Sequence, residues 1–136
     1  MSYDYFLQAH FEEEPQDIPT EAILAIFAPF ITKKGEEFID LEFGEGNSST
    51  IYITTTDVAV SGFSVNRPCD SRQLGECLYR VMLLGNFVFF EPDGKQPIIL
   101  DPAVEGHLPG DMVEGLGKPA VAGSEEDFLA LYFNNR

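Results

Sequence analysis

The sequence predicts a single α+β domain over residues 1–136, a mainly antiparallel sheet in the order β-α-β-β-β-α-β-β-α with helices packed on one face. Three observations predict it. Closely spaced segments of period-two alternation follow one another between residues 37 and 65. Segments of helical periodicity flank them on both sides. No repeat, low-complexity tract or linker divides the 136 residues, a length typical of one domain. Such a chain buries about two-thirds of its unfolded surface and needs no disulfide or metal to hold it together. An apolar fraction of 44% and 12 Phe supply the core.

The elements follow in order. YDYFLQA (3–9) is aromatic-rich and roughly alternating, a first strand. FEEEPQDIP is a polar, proline-interrupted loop. Thr20 is placed to cap a helix carrying Ile23, Leu24, Phe27 and Ile31, which Pro29 kinks or ends because it lacks an N–H. Lys33, Lys34 and Gly35 read as its C-terminal stop. EFIDLEF, TIYITTT and VAVSGFSV are then three strands of an antiparallel meander, with GEGNSS and TTD as turns. The second helix opens at Asp70, with Gln73 three residues on as in a capping box. It buries Leu74, Cys77, Leu78 and Val81 and ends by Gly85. Arg72, Glu76 and Arg80 stand four apart and can pair. FVFF (87–90) is an apolar strand, EPDGK a tight turn, and QPIIL a returning edge strand, since Pro97 cannot donate to a central ladder. PAVAG and a last helix from Ser124, with Phe128, Leu131 and Tyr132, complete the chain.

The charge is lopsided: 23 acids against 8 Lys and Arg, a formal net charge of −15. This argues against binding nucleic acid, whose phosphates call for a basic footprint, and against an anionic membrane surface. It favours a basic protein partner, whose encounter the field accelerates. The opening residues lack the basic region and apolar run of a signal peptide, and no stretch is long enough for a membrane helix. Cys69 and Cys77 match no metal-binding spacing and read as reduced thiols, so the expected location is the cytoplasm.

Catalytic signatures are sparse. GEGNSS has glycines but no lysine, and it joins two strands, so it is not a phosphate loop. The serines of VSGFSV sit in a strand, where a nucleophile elbow does not form. Nothing local supports a pair of Cys69 or Cys77 with His10 or His107. Arg67 reads as a partner for a strand-end acid. The stretch VEGHLPGDMVEGLGKP (104–119) leaves two readings open. His107 with Asp111 and Glu114 could form an acid/base or metal site. Alternatively the stretch punctuates a short helix, with Pro109 at its start, Leu108 packed on Met112 or Val113, Asp111 and Glu114 facing the dipole, and Gly117 and Pro119 as its stop.

FSVNRPCDSRQLGECLYRVMLLGNFVFFEPDG, followed by HLPGDMVEGLGKPAVAGSEEDF, resembles the immunity proteins encoded beside polymorphic or type VI secreted bacterial toxins. The matching features are Asn66-Arg67-Pro68 before a helix, an apolar strand ending at Asp93-Gly94, and the turn Leu108-Pro109-x-Asp111-Met112 running to Leu116-Gly117-x-Pro119. The likeness covers roughly residues 1–133 and carries no catalytic residue. It implies a non-catalytic protein, without metal or cofactor, that binds and neutralises a cognate toxin by occluding a basic active site. Contacts would come from Glu12, Glu13, Glu14 and Asp17, from Glu125, Glu126 and Asp127, and from Tyr52 as an aromatic anchor. Two other expectations stand beside it: a small hydrolase-like enzyme using His107 with Asp111 or Glu114, and an acidic adaptor or nucleic-acid mimic acting on a basic protein.

Overall fold

The computed structural model describes residues 4–91 and 95–134. The expected turn after FVFF falls on residues 92–94, outside that set. Among the described residues the strands are β1 (Asp4–Phe11), β2 (Glu14–Pro15), β3 (Ile18–Pro19), β4 (Ile31–Lys34), β5 (Phe38–Glu42), β6 (Ser48–Tyr52), β7 (Ala59–Val60), β8 (Gly62–Asn66), β9 (Phe87–Phe90), β10 (Ile98–Ile99) and β11 (Ala120–Val121). The helices are α1 (Thr20–Phe27), α2 (Arg72–Met82), α3 (Pro102–Glu105), α4 (Gly110–Leu116) and α5 (Glu125–Asn134). The main sheet runs β11-β10-β9-β1-β8-β6-β5-β4, with β2 paired to β1, and every pair but β10–β11 is antiparallel. The α+β class holds. No helix among the described residues is long and apolar enough to cross a membrane.

Alternation along the strands assigns the two faces. Tyr5, Leu7, Ala9, Ile39, Leu41, Ile51, Phe63, Val65, Phe87 and Phe89 turn to one side and meet α1, α2 and α5 through Ile23, Phe27, Leu74, Leu78, Val81, Phe128 and Tyr132. Gly75 of α2 lets α5 approach: a Cβ there would lie 2.7 Å from Leu129 Cδ2. The opposite face is covered at one end only. There Val88 and Ile99 pack with Val104, Leu108, Met112 and Val113 of the α3–α4 segment. Helices therefore lie on both faces, and FVFF shows why. All four of its residues are apolar, the pattern of a strand buried on both sides rather than one.

Several local expectations change. The N-cap of α2 is Ser71, whose hydroxyl accepts from Gln73 N at 3.2 Å, not Asp70. Thr20 is buried and caps nothing; it is the first residue of α1 after Pro19. Pro29 does end that helix, in a 3₁₀ turn at Ala28–Phe30. The chain beyond it is not a helix stop but β4, paired with β5. Gly35 closes the turn between them, where a Cβ would run into the Phe38 ring. Gly85 likewise serves close approach, to Gln16 and Ile18. β10 is not an edge strand, because β11 pairs alongside it. Pro97 is compatible with that position since it only accepts, from Ala120 N at 2.8 Å. The DPAVE segment forms α3, capped by Asp101, whose carboxylate accepts from Ala103 N at 2.8 Å.

A groove on the open sheet face

Beyond the α3–α4 cover, the second sheet face is open. The register lays its side chains in rows. Phe38, Tyr52, Ser64, Phe6 and Phe90 are successive cross-strand partners over β5, β6, β8, β1 and β9. The neighbouring row is Asp40, Thr50, Asn66 and Asp4. Its members satisfy one another: Thr50 Oγ1 donates to Asp40 Oδ1 at 2.7 Å, and Asn66 Nδ2 to Asp4 Oδ1 at 2.9 Å. In the aromatic row Phe6 stacks on Phe90 with centroids 5.4 Å apart, and Lys33 Nζ lies 5.8 Å from the centre of the Phe38 ring. Tyr52 remains 49% exposed.

A groove of about 490 Å³ runs beside Tyr52. Alternation along β1 turns Phe6, Gln8 and His10 to it, β8 contributes Gly62 and Ser64, and Pro15 of β2 forms the far wall. Gly62 keeps the floor open. A Cβ there would stand 2.5 Å from the Leu7 carbonyl oxygen, too close for any side chain. A second depression, lined by Glu37, Thr54 and Val60, shares Tyr52 and Gly62 with the first. Tyr52 thus stands between two hollows. His10 is buried at 8% exposure, and among the described residues neither of its ring nitrogens has a hydrogen-bond partner. Burial lowers its pKa below the ordinary 6.5, so the ring is neutral near pH 7.

The wall at Pro15 belongs to a hairpin. Phe11 pairs with Glu14 and His10 with Pro15, so Glu12 and Glu13 form a two-residue turn, with φ of 51° and 71°. Left-handed backbone at two successive glutamates is unfavourable, and such turns favour Asn-Gly. The α3–α4 corner compensates. Glu12 N donates to His107 Nδ1 at 3.0 Å, Glu13 N to the His107 carbonyl at 2.9 Å, and Gly110 N to Glu13 Oε1 at 3.1 Å. The Phe11 ring stacks on the imidazole at 4.9 Å.

His107 is therefore engaged in holding the acidic hairpin. Asp111 Oδ1 accepts from the adjacent Met112 N at 3.0 Å, and Glu114 is exposed on α4. Among the described residues no group of three His, Cys, Asp or Glu is placed to hold a metal ion. The helix-punctuation reading matches the geometry: Leu108 is buried with Met112 and Val113, and Gly117 stops α4 at φ 88°. Arg67, expected to pair with a strand-end acid, makes no ion pair among the described residues. Its carbonyl accepts from Ser49 Oγ at 3.0 Å.

The residues expected to contact a partner fall into two separate places. Glu12, Glu13 and Glu14 lie on the hairpin whose Pro15 lines the groove, Tyr52 lines the same groove, and exposed Asp17 follows in the same loop. Glu125, Glu126 and Asp127 open α5, in the helical layer across the sheet. There Ser124 Oγ accepts from Asp127 N at 3.1 Å, and Arg72 pairs with both Glu126 and Glu76 at 3.3 Å. Sequence reasoning missed Phe6, Gln8, His10 and Ser64. Extending the period-two reading of the first strand to Phe11 would have placed the first three of them on one face. Among family models, curated proteins and solved structures, none matches this chain. Fold and groove define an α+β domain whose sheet is left half open.

Proposed function

We propose that this protein is a non-catalytic immunity protein, which binds a cognate secreted bacterial toxin in the cytoplasm and occludes a basic active site. The observation that carries the reading is that Tyr52 and Pro15, the residue next to the Glu12–Glu14 turn, line one groove in a chain of net charge −15. A half-exposed aromatic ring in a groove with acidic residues near its edge is the composition of an interface anchor with a charged rim. The hairpin backbone is fixed from outside by His107, so the turn itself needs little ordering on binding. The strong negative field steers a basic partner and raises the association rate. The resemblance to toxin-immunity proteins supplies the class of partner.

The test is co-expression with the product of the gene immediately upstream. A stable complex and restored growth are expected, with an association rate that falls as salt is raised. Absence of both the complex and the rescue would overturn the proposal.

A further inference from the structure

We infer that the groove beside Tyr52 receives a basic side chain, an arginine or lysine on a loop of the partner protein. That the side chain belongs to a basic toxin rests on the immunity reading; the preference for a cation rests on the groove itself. Tyr52 presents an exposed ring between two hollows, where a cation is attracted to the ring face. Among the described residues no lysine or arginine lines either hollow, while Glu37 lines one and Pro15, next to Glu14 on the acidic hairpin, lines the other. An anionic group entering here would meet the Glu37 carboxylate and the field of a chain of net charge −15.

The floor suits a long donor-bearing side chain. Gln8 and Ser64 offer oxygen acceptors, and the buried His10 ring forms part of the lining beside them. Because burial holds this ring neutral, it does not repel the incoming cation. The hollow at the start of α5, about 260 Å³, differs in that Arg72 lines it and Glu126 is already paired with that cation.

The experiment uses the full-length protein, labelled for NMR and titrated with N-acetyl-Gly-Arg-Gly-amide or its Gly-Glu-Gly counterpart. Saturable shifts are expected at Gln8, Tyr52, Ser64 and the His10 ring with the arginine peptide only. Tyr52→Ala, at an exposed site, should keep the melting temperature and weaken binding by about five- to tenfold. No saturable shift, an equal response to the glutamate peptide, shifts centred on Glu125–Asp127, or undiminished binding by Tyr52→Ala would each overturn the inference. The upstream gene product separates the two readings. A complex that Tyr52→Ala does not weaken and the arginine peptide does not displace overturns the groove assignment but leaves the immunity reading. Saturable arginine binding without any complex or rescue supports the groove and removes the immunity reading.

Discussion

The backbone N–H of Glu12 donates to Nδ1 of His107 at 3.0 Å, across 95 residues of sequence. The bond requires a bare Nδ1, so the neutral imidazole carries its proton on Nε2. It ties an intrinsically unfavourable Glu-Glu turn to the α3–α4 corner, and it turns the one histidine that looked catalytic into a support for the acidic hairpin.

Removing that support has a readable cost. His107→Ala loses the acceptor and the stack on Phe11, and is expected to destabilise the fold by about 1–2 kcal/mol in urea titration. Hydrogen exchange at the Glu12 amide should accelerate. His107→Phe restores the ring but not the acceptor, so it should recover only part of the loss. An unchanged Glu12 exchange rate in both variants would show that the bond does not hold the turn.

Glu13 acts as a cap on a helix distant in sequence. α4 begins after Pro109, which has no side-chain hydrogen bond to offer, and Glu13 Oε1 accepts from Gly110 N in its place. Glu13→Ala should cost about 0.5–1 kcal/mol, as for loss of an exposed cap. Glu14→Ala removes the same charge without touching α4, so the difference between the two melting curves isolates the cap. Equal curves would refute it.

Stability should depend on pH through His10. Its pKa is lowered by burial in the folded protein from 6.5 in the unfolded chain. As pH falls below 6.5 the unfolded chain takes up a proton that the folded protein refuses, so stability drops. Above that value both states are neutral and the contribution vanishes. Wild type should therefore lose stability relative to His10→Phe between about pH 7 and pH 5.5. A constant gap across that window in denaturant titrations would contradict the burial of a neutral ring.

The two thiols should differ sharply in reactivity. Burial, opposed by Arg80 and reinforced by Glu76, pushes the Cys77 thiol up to about 11, and its Sγ lies 3.9 Å from the Ile26 carbonyl oxygen. Cys69 is only half-buried. A disulfide reagent at neutral pH is expected to label Cys69 first and Cys77 only on unfolding. Equal labelling rates in the native protein would place Cys77 nearer the surface than α2 allows.

Much of this architecture was legible in one dimension. Alternation marked β5, β6 and β8, an unbroken apolar run marked β9, and helical spacing marked α2 with Leu74, Cys77, Leu78 and Val81 inward. These signals are local and repeat within a few residues. Less was legible where one residue serves two structures. Lys33 and Lys34 suit a helix terminus as well as a solvent-facing strand, and only pairing with β5 decides for β4. The hairpin at Glu12–Glu13 carries none of the glycine or asparagine that announces such a turn, because His107 and Gly110 stabilise it from elsewhere.

The sequence by itself determined the α+β class, the net charge, the core faces of the long elements and the start and stop of α4. Those properties depend on residue type, or on spacing within one element. Tertiary structure alone decided that Tyr52 and Pro15 of the acidic hairpin line one groove, that the acids of α5 lie across the sheet from it, and that His107 holds the hairpin turn. The reason is the same in each case. Strand order, register and packing bring together residues as far as 95 positions apart, and no local period encodes that choice.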